Sequence, residues 1–401
     1  MRVDIELIKK IASDSVIDIA YDWLCERRRD YSHNNDVWDL RFRWAEIKPC
    51  LQQSLLAGEY SISPQDEFRM PDGSIELWSS QDALVLKAMS IVLGEHLKPI
   101  LPRNCYHLAG HGGAKAAVRA TARHLKQGQH VMKSDVRGYY ASIDHEVLFK
   151  LLQEYVHDKH VLNMLWQYMK RIVYCEEFYR DVKQGISLGC PLSPLMGALY
   201  LKQLDDRMEK TGLFYARFMD DWVVIAPTRW KLRNAIRVVN EPLNMLCVEQ
   251  HPDKTFVGRL ERGFDFLGYF LKPGILRVSV DTLKNCADRI SRLYEQGADY
   301  VRIGKYVRNW HKWVRAGVKL QSILFKDFED VDEHVSDKCL CRVRFGEISL
   351  ICDLHSEFFG LITNQGMTSA TAGALEACLS RAPAQKFAIS HSFLIITANV
   401  K

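Results

Sequence analysis

Residues 215–226, YARFMDDWVVIA, place two aspartates next to each other inside an otherwise apolar sequence. The pattern predicts two short strands joined in a hairpin, with Asp220 and Asp221 as its two-residue acidic tip. Adjacent aspartates alone are weak evidence, because such pairs are common in exposed turns. Here the flanking residues are apolar rather than the Gly, Ser or Asn of an exposed turn. A carboxylate among apolar neighbours is costly unless a cation, a hydrogen-bond network or a metal compensates its charge, so we expect such a partner.

A third aspartate follows another predicted strand. Residues 130–148, HVMKSDVRGYYASIDHEVL, indicate a strand that ends at Asp135, a turn at Gly138 and a helix from about Asp144. Mg²⁺ prefers oxygen ligands and is usually bound by a few carboxylates together with substrate phosphates. Two such ions ~3.5–4 Å apart can act on the attacking and the leaving oxygen of a phosphoryl displacement. This aspartate and the adjacent pair would suffice for such a site.

The chain of 401 residues is long enough for two or three domains, and its 47% hydrophobic content can supply their cores. Helical periodicity predicts a helical N-terminal extension at residues 1–64, with one or two helices first and a later one closed by Gly58. In residues 65–274, short strand-like runs alternate with longer helical patterns such as residues 194–208, which is typical of an α+β or α/β layout. The last part, residues 323–401, has no period that indicates its structure or role.

The cysteine content and the hydropathy pattern indicate where the protein resides. Eleven cysteines, an odd number, fit free thiols better than a full set of disulfides. The start of the chain lacks the features of a secretory signal, and no apolar run approaches the ~18 residues that a membrane span needs. We therefore expect a reduced, cytoplasmic protein with no membrane partner, and we leave its oligomeric state open.

Positive charge is concentrated in one segment. The net charge of +5 is too small to indicate a nucleic-acid partner by itself. Residues 275–320 contain ten Lys or Arg against four Asp or Glu, a balance of +6, so the remainder is nearly neutral. Within residues 275–322, apolar and basic residues recur at helical spacing on faces about 200° apart. The basic positions that we predict to contact nucleic-acid phosphates are Arg302, Lys305, Arg308, Lys312 and Arg315. A solvated surface helix is the alternative, although such a face normally mixes both signs of charge.

Five segments of the chain resemble the sequence blocks three to seven of reverse transcriptases. They are residues 133–148 (KSDVRGYYASIDHEVL), 184–205 (QGISLGCPLSPLMGALYLKQLD), 215–226 (YARFMDDWVVIA), 251–258 (HPDKTFVG) and 264–271 (FDFLGYFL). All five occur in the family's order and spacing, so the joint match is far more specific than any single block. The resemblance covers roughly residues 21–320. It implies an α+β right-hand polymerase fold, with fingers and a palm built on a small antiparallel sheet in residues 65–274 and a helical, basic thumb in residues 275–322.

The resemblance also implies the catalytic centre. Asp135, Asp220 and Asp221 would be the catalytic carboxylates, and together with Val136 they would bind two Mg²⁺ ions, for which Mn²⁺ can substitute. One ion would activate the 3′-hydroxyl of a primer and the other would neutralise the leaving pyrophosphate. The expected activity is DNA synthesis from dNTPs on an RNA template.

Nucleotide-binding residues follow from the same resemblance. Tyr140 would be the aromatic gate that meets the 2′-hydroxyl of an incoming sugar and so favours deoxynucleotides; a core aromatic is its alternative reading. Lys254 would lie near the primer end or the nucleotide phosphates. In residues 107–120, HLAGHGGAKAAVRA, small residues let the backbone approach phosphate, and Lys115 and Arg119 are candidate triphosphate contacts.

One position departs from the family pattern. The fourth block typically reads Gly-x-Pro-Gln-Gly, whereas residues 185–189 read GISLG. Leu188, followed by Gly189, therefore stands where a glutamine normally contacts the nucleotide or template pocket. The replacement removes a hydrogen bond of roughly 0.5–1.5 kcal/mol net and is expected to alter fidelity or template handling. Polymerisation itself is not excluded, because all the metal ligands are present.

The subgroup is indicated by this departure and by the N-terminal residues Trp38, Leu40, Arg41 and Trp44. The chain is similar to the group II intron-like bacterial reverse transcriptases of the "unknown group", many of which are defence-associated, and within them to the type 2 branch. This similarity implies a polymerase that copies an associated structured noncoding RNA into cDNA in anti-phage defence. Two alternatives are a template-independent DNA polymerase of the abortive-infection type and an intron-maturase-like RNA-binding protein.

Overall fold

The computed structural model describes residues 6–70, 73–317, 340–345, 348–353 and 359–362. The chain forms two compact units, one from Met1–Leu267 with Leu271–Ile275 and the other from Gly268–Phe270 with Leu276–Lys401. The helices of the first unit are α1 (Glu6–Ile11), α2 (Asp14–Arg27), α3 (Val37–Phe42), α4 (Trp44–Ala57), α5 (Ser80–Leu97), α6 (Gly113–His124), α7 (Tyr139–Ser142), α8 (His145–Tyr155), α9 (Lys159–Met169), α10 (Ser193–Tyr200), α11 (Lys202–Glu209) and α12 (Arg229–Met245).

The strands of the first unit are β1 (Gln65–Met70), β2 (Gly73–Leu77), β3 (His130–Ser134), β4 (Ile172–Cys175), β5 (Phe178–Asp181), β6 (Phe214–Phe218), β7 (Asp221–Ala226) and β8 (Phe256–Arg259). The chain passes between the units in the segment that contains β9 (Phe264–Phe266), β10 (Tyr269–Lys272) and β11 (Ile275–Val278). The second unit contains α13 (Val280–Glu295), α14 (Tyr300–Gly317), β12 (Leu340–Phe345), β13 (Ile348–Asp353) and β14 (Phe359–Ile362).

The N-terminal helices pack onto the core of the first unit. Where the periodicity allowed one or two helices at the start, the chain forms the two helices α1 and α2. Ile8 of α1 is fully buried, and its backbone N–H donates to the buried Asp158 carboxylate at 2.9 Å. As predicted, the later helix α4 is closed by Gly58, whose φ of 72° is a left-handed conformation that glycine adopts readily. The contact of Ile8 with Asp158 thus joins the N-terminal helices to the rest of the first unit.

The central sheet has the strand order β6-β7-β3-β8, and its neighbouring strands are antiparallel. Met132 and Val224 are paired across β3 and β7, so their side chains share one face. This face lies in the main hydrophobic core, together with Leu232 of α12. Because side chains alternate along a strand, Lys133 and Asp221 belong to the opposite face. The sheet therefore has a helix-covered face and a second face that bears charged groups.

A second sheet in the first unit has the order β2-β1-β4-β5, in which β1 and β4 are parallel. The buried Arg171, immediately before β4, donates through Nε to the Glu76 carboxylate of β2 at 2.8 Å. The Arg171 Nη1 also donates to the Gly185 carbonyl at 2.9 Å, and His145 Nε2 lies 2.8 Å from the same oxygen. The sheet is thereby connected to the segment of the chain that contains Leu188.

In the second unit, two helices pack against each other. Ser279 caps α13, because its side chain accepts a hydrogen bond from the Thr282 backbone N–H at 3.2 Å. Ile290 of α13 and Ile303 and Val307 of α14 are buried in a common cluster. This small core orients the face of α14 that bears the apolar stripe of the sequence.

The structure confirms an α+β fold of mixed helices and small sheets. One difference from the sequence pattern is that residues 194–208 form parts of two helices, because the chain is interrupted at Leu201 between α10 and α11. Among the helices that the structure describes, none is long and apolar enough to pass through a bilayer.

Candidate active site

The hairpin of β6 and β7 presents the adjacent aspartates. Phe218 and Asp221 are paired in register, so the reverse turn consists of Met219 and Asp220. The predicted two-residue acidic tip is therefore wrong by one residue, since Asp221 is the first residue of β7. Met219 has a φ of 56°, which is a strained conformation for a non-glycine residue. Asp220 thus lies in the turn, whereas Asp221 lies in the strand.

Asp135 lies at the same edge of the central sheet. β3 ends at Ser134, one residue before the predicted end, and Ser134 is paired with Trp222 of β7. Continuing this register by one residue places Asp135 level with Asp221. The carbonyl of Asp135 accepts a hydrogen bond from the His251 backbone N–H at 2.9 Å, which fixes the backbone there. The fold therefore brings Asp135 to the same edge of the sheet as Asp220 and Asp221, which follow it more than 80 residues later in the sequence.

These carboxylates influence one another electrostatically. Burial raises the pKa of Asp220 and raises that of Asp221 to about 6. The negative charge of Asp135 raises both pKa values further, whereas the positive charge of Lys133 lowers that of Asp221. Carboxylates that share a partly buried site in this way disfavour one another's ionised forms. The group is therefore one that a bound cation would stabilise.

Two lysines provide positive charge at this edge. Lys254 Nζ donates to Asp135 Oδ2 at 2.8 Å, and this hydrogen bond raises the pKa of Lys254. Lys133 Nζ lies 3.7 Å from Asp221 Oδ1 and donates to the Lys254 carbonyl at 3.3 Å. Lys254 is thus placed beside Asp135, and its expected position near the primer end or the nucleotide phosphates stays a prediction. The sequence analysis did not assign a role to Lys133, although a lysine within the strand-like run HVMKS could have indicated a nearby negative charge.

The donor atoms at this edge fit a divalent cation. Asp135 Oδ1 is buried and has no hydrogen-bond partner within the described part of the chain, so it can bind a cation without losing an internal contact. The other oxygen of Asp135 is occupied by Lys254. Among the described residues, no three His, Cys, Asp or Glu side chains are already grouped closely enough to hold a metal ion. Val136, the remaining member of the predicted metal site, is buried and forms a β-bridge with Gln250.

A buried arginine supports the turn before Asp220. Arg217 of β6 forms an ion pair with Asp205 of α11, and its Nε donates to Asp205 Oδ1 at 2.8 Å. Its Nη1 donates to the carbonyl of Met219 at 2.7 Å. Burial is the largest single influence and lowers the pKa of this guanidinium, but the charge and hydrogen bond of Asp205, together with Cys105 and Tyr215, outweigh it and raise the pKa of Arg217. Arg217 therefore remains a cation inside the protein and donates to the strained turn.

A histidine supports the same turn through the other backbone group of Met219, its N–H. His107 Nδ1 accepts a hydrogen bond from the Met219 backbone N–H at 2.9 Å, and its Nε2 donates to the Pro194 carbonyl at 3.0 Å. This pattern requires the neutral ring with its proton on Nε2. Burial, and then the positive charge of Arg217, lower the pKa of His107 to about 3. The ring is therefore neutral at physiological pH and able to accept this hydrogen bond.

Sequence reasoning did not identify His107, Arg217 or Asp205. A charged residue inside the apolar run YARFM was a usable signal for Arg217. No local pattern singles out His107 or Asp205, because their partners lie elsewhere in the chain.

Tyr140 lies close to the carboxylates. Its ring packs beside Gly197 of α10, where an added Cβ would lie 3.0 Å from Tyr140 Cε1. Its hydroxyl is buried without a hydrogen-bond partner in the described part of the protein. Burial and then the negative charge of Asp220 raise the pKa of Tyr140, so the hydroxyl stays protonated. The structure thus places Tyr140 near Asp220, and its role as a sugar gate stays a prediction.

The segment with the altered fourth block is held next to Tyr140. The Ile186 backbone N–H donates to the Tyr140 carbonyl at 2.8 Å. Leu188 follows with 74% of its surface exposed, and Gly189 has a φ of 86°. Leu188 is therefore presented to solvent rather than to the core, which leaves its side chain available to a nucleotide or a template.

Lys115 lies near the start of α6, a helix that packs against β6. Burial, and then the positive charge of Arg119, lower the pKa of Lys115 to about 8. Both residues lie within the first unit, and their contact with a triphosphate stays a prediction.

The basic positions of α14 lie in the second unit. Ile303, Val307 and Val314 are buried, so the apolar stripe faces the core of that unit. Arg302, Lys305, Lys312 and Arg315 are exposed and Arg308 is half-buried. The helix has the two faces that the spacing predicted, and its contact with nucleic acid stays a prediction.

One protein family matches the part of the chain that contains this region. Residues 74–271 match the family described as reverse transcriptase (RNA-dependent DNA polymerase). This range includes the three aspartates, Tyr140 and the altered fourth block. The resemblance to reverse transcriptases is thereby confirmed at the level of the domain.

Several known proteins are similar to this chain. Protein YkfC of Escherichia coli is 21% identical over 281 residues, which cover 58% of this chain and 73% of that protein. The group II intron-encoded protein LtrA of Lactococcus lactis is 23% identical over 170 residues, which cover 42% of this chain and 28% of that protein. An uncharacterized 91 kDa protein in the cob intron of Schizosaccharomyces pombe is 24% identical over 167 residues, covering 39% and 20% respectively. The chain thus spans less than a third of the two intron-associated relatives.

Proposed function

We propose that the reverse transcriptase domain at residues 74–271, which makes this chain an RNA-directed DNA polymerase, copies an associated noncoding RNA into cDNA. The observation that supports this best is the meeting of Asp135, Asp220 and Asp221 at one edge of the central sheet. Their mutual effect on pKa and the unpartnered oxygen of Asp135 support the proposal that cations would bind here. Deoxynucleotides and an RNA template are the substrates that this domain implies.

The residues that would bind two Mg²⁺ ions, or Mn²⁺ in their place, are Asp135, Val136, Asp220 and Asp221. Bound ions would stabilise the negative charge of the attacking 3′-oxygen and of the leaving pyrophosphate. The protein itself positions the carboxylates: Arg217 and His107 hold the backbone before Asp220, and the register of β3 with β7 sets Asp135 beside Asp221. Lys254, whose side chain is 57% exposed, is available to contact nucleotide phosphates.

Nucleotide selection is assigned to the neighbouring groups. The ring of Tyr140 would exclude a 2′-hydroxyl, so that deoxynucleotides are preferred. Leu188 and Gly189 would contact the nucleotide or the template, and Lys115 a triphosphate. The corresponding layout is fingers and palm in residues 65–274 and a thumb in residues 275–322 that contacts the nucleic acid through α14.

A role in anti-phage defence rests on the resemblance to defence-associated enzymes. It is supported by the Leu188 departure and by the N-terminal residues that suggest the type 2 branch. A template-independent polymerase is the second candidate, because an exposed leucine replaces the glutamine expected at the nucleotide or template pocket. The similarity to a group II intron-encoded protein keeps an RNA-binding, maturase-like role as the third.

One experiment separates these functions. Purified protein with its co-purifying RNA is incubated with labelled dNTPs and Mg²⁺, and RNA and product are sequenced. The proposal expects a product complementary to the RNA, whereas a homopolymeric or random product indicates untemplated synthesis and no product indicates a binding protein. Asp220→Ala should abolish synthesis and leave RNA retention intact, while the exposed control Asp30→Ala should keep wild-type synthesis. Unchanged synthesis by Asp220→Ala would contradict the assigned site.

A further inference from the structure

Helix α12 has an exposed basic face that the catalytic centre does not use. Arg229, Arg233 and Arg237 recur every fourth residue, so they form a stripe along the helix with ~6 Å between successive positions. All three are exposed. Trp230 lies on the same side of the helix and has 74% of its surface in solvent. This side of the helix therefore presents positive charge and a flat aromatic ring together.

The charge of this face is positive up to residue 240, and Glu241, one turn after Arg237, forms an ion pair with Arg207 of α11. Over residues 229–240 the helix contains four cations and no acid. Within the described part of the chain, no acidic side chain forms an ion pair with Arg229, Arg233 or Arg237. Some other exposed cations of the first unit are paired, as Lys10 is with Glu6 at 3.6 Å. A solvated helix face normally mixes both signs, so this face suits a polyanion.

The face lies on the reverse side of the central sheet from the catalytic carboxylates. The apolar side of α12, with Leu232 and Val239, packs in the main core with Met132 and Val224 on one face of the sheet. Asp221 belongs to the opposite face, because it alternates with Trp222 along β7. The basic stripe points away from the sheet and hence away from the side on which Asp221 lies.

The stripe also begins at the far end of β7. Asp221 is the first residue of that strand and Ala226 the last, a span of ~17 Å. Thr228 follows and caps α12, accepting a hydrogen bond from the Lys231 backbone N–H at 3.2 Å. Arg229 and Trp230 are therefore separated from the catalytic turn by the length of a strand as well as by the thickness of the sheet. A primer terminus at the carboxylates would not reach them over this distance.

We propose that the exposed face of α12 binds the sugar-phosphate backbone of an RNA at a place distinct from the catalytic centre. Arg229, Arg233 and Arg237 contact successive phosphates, and Trp230 stacks on an unpaired base. This proposal rests on the proposed function, since it assigns a holding surface for the RNA that the enzyme copies. An RNA anchored here stays attached while its template region passes the carboxylates on the other side of the sheet.

The test measures RNA binding separately from synthesis. The full-length chain is compared with the variant Arg229→Gln/Arg233→Gln/Arg237→Gln by fluorescence anisotropy, with a labelled RNA of about 40 nucleotides that contains one stem-loop and single-stranded flanks. Each lost phosphate contact should lower the slope of log K against log salt by about 0.7. We expect a slope lower by about 2 and weaker binding at low salt. Trp230→Ala should bind this RNA roughly 5- to 100-fold more weakly, and Trp230→Phe should restore most of that loss.

A matched control variant removes three positive charges from parts of the surface outside α12. Lys10→Gln/Arg29→Gln/Lys98→Gln also removes three exposed cations, each of which has an acidic partner in the structure. This variant should keep the wild-type salt slope. Both triple variants should keep the wild-type rate of dTTP incorporation on saturating poly(rA)/oligo(dT), because the catalytic side of the sheet is unaltered.

The possible results decide the proposal. A folded α12 variant, with an unchanged Tm, that retains wild-type RNA affinity and salt slope would overturn it. Loss of binding to poly-glutamate with unchanged RNA binding would likewise overturn it and assign the face to an acidic protein. If no variant or wild-type protein incorporated dTTP but the salt slopes changed as expected, the polymerase function would fail while the α12 surface would stand.

Discussion

His107 Nδ1 lies 2.9 Å from the backbone nitrogen of Met219 and accepts its hydrogen bond. Met219 precedes Asp220 in the chain and has a φ of 56°, a conformation that costs on the order of 1–3 kcal/mol and persists only where the surroundings enforce it. Arg217 donates to the carbonyl of the same residue at 2.7 Å. The position of a carboxylate at the candidate active site is thus supported by a histidine more than 100 residues earlier in the chain.

Removing the acceptor at residue 107 should impair catalysis more than binding. His107→Ala leaves the Met219 N–H without a partner and relaxes the turn, and we expect kcat to fall roughly 10- to 100-fold with little change in KM for dNTPs. His107→Asn provides a side-chain oxygen that can accept the same bond, so it should recover part of the rate. Steady-state incorporation on poly(rA)/oligo(dT) measures both. Equal rates for wild type and His107→Ala would show that the turn does not depend on this hydrogen bond.

The buried histidine should also make stability depend on pH. Its folded-state pKa is about 3 against an ordinary value of 6.5, so between these values the unfolded chain binds a proton that the folded chain does not. The free energy of unfolding therefore falls as pH decreases from 6.5 towards 3, by up to ~1.4 kcal/mol per pH unit from this group. Urea unfolding at pH 6.5, 5.5 and 4.5 should show a shallower fall for His107→Asn than for wild type. The exposed control His33→Asn should follow the wild type, and a parallel fall for all three would contradict the prediction.

Variants of the Arg217–Asp205 ion pair can separate its effect on the stability of the protein from its effect on the position of the turn at Met219. Arg217→Met leaves the carboxylate of Asp205 buried and unpaired, which should destabilise the protein by about 3–5 kcal/mol. Arg217→Met/Asp205→Asn removes that charge while keeping an acceptor for the Tyr215 hydroxyl, which donates to Asp205 at 2.8 Å. We expect the double variant to regain most of the lost Tm but not the activity, because the Met219 carbonyl still lacks its donor. Recovery of full activity would mean that the pair acts only on stability.

Tyr140 should determine sugar selection. Tyr140→Ala removes a ring that packs beside Gly197 near Asp220, and so opens the space that a 2′-hydroxyl would need. The ratio of dATP to ATP incorporation should fall roughly tenfold or more. Tyr140→Phe keeps the ring and should keep the ratio, since the hydroxyl makes no hydrogen bond within the described part of the chain. An unchanged ratio in Tyr140→Ala would return the residue to a purely structural role.

The basic face of α14 should contribute to nucleic-acid binding. Neutralising Arg302, Lys305 and Arg308 together should weaken binding of a primer-template duplex and reduce its salt slope by about 2–3. Because Arg308 is half-buried, the double variant Arg302→Gln/Lys305→Gln tests the same face with less risk to folding. An unaltered salt slope would identify α14 as a solvated surface helix.

The residue patterns alone indicated the hairpin of β6 and β7, the cap at Gly58 and the three aspartates, whereas they left α+β and α/β open and the resemblance favoured α+β. These features are local, because each depends on strand or helix periodicity and on a few neighbouring residues. They also indicated the two faces of α14, since a helix places its residues at fixed angles whatever surrounds it. The pattern did not predict which two residues form the turn, because Asp221 belongs to the strand through its pairing with Phe218.

Only the tertiary structure decided which distant groups meet. Nothing in the local sequence connects His107 with Met219 or Lys133 with Asp221, since each contact depends on how strands and loops are arranged in space. The local sequence also does not show that α12 lies on the opposite side of the sheet from Asp221. That position depends on which face of the sheet the helix covers. Periodicity specifies which side of an element is apolar, whereas packing of that side against others specifies the partners of its polar groups. For this protein, the sequence indicated the three candidate carboxylates, and the fold determined the groups that position them.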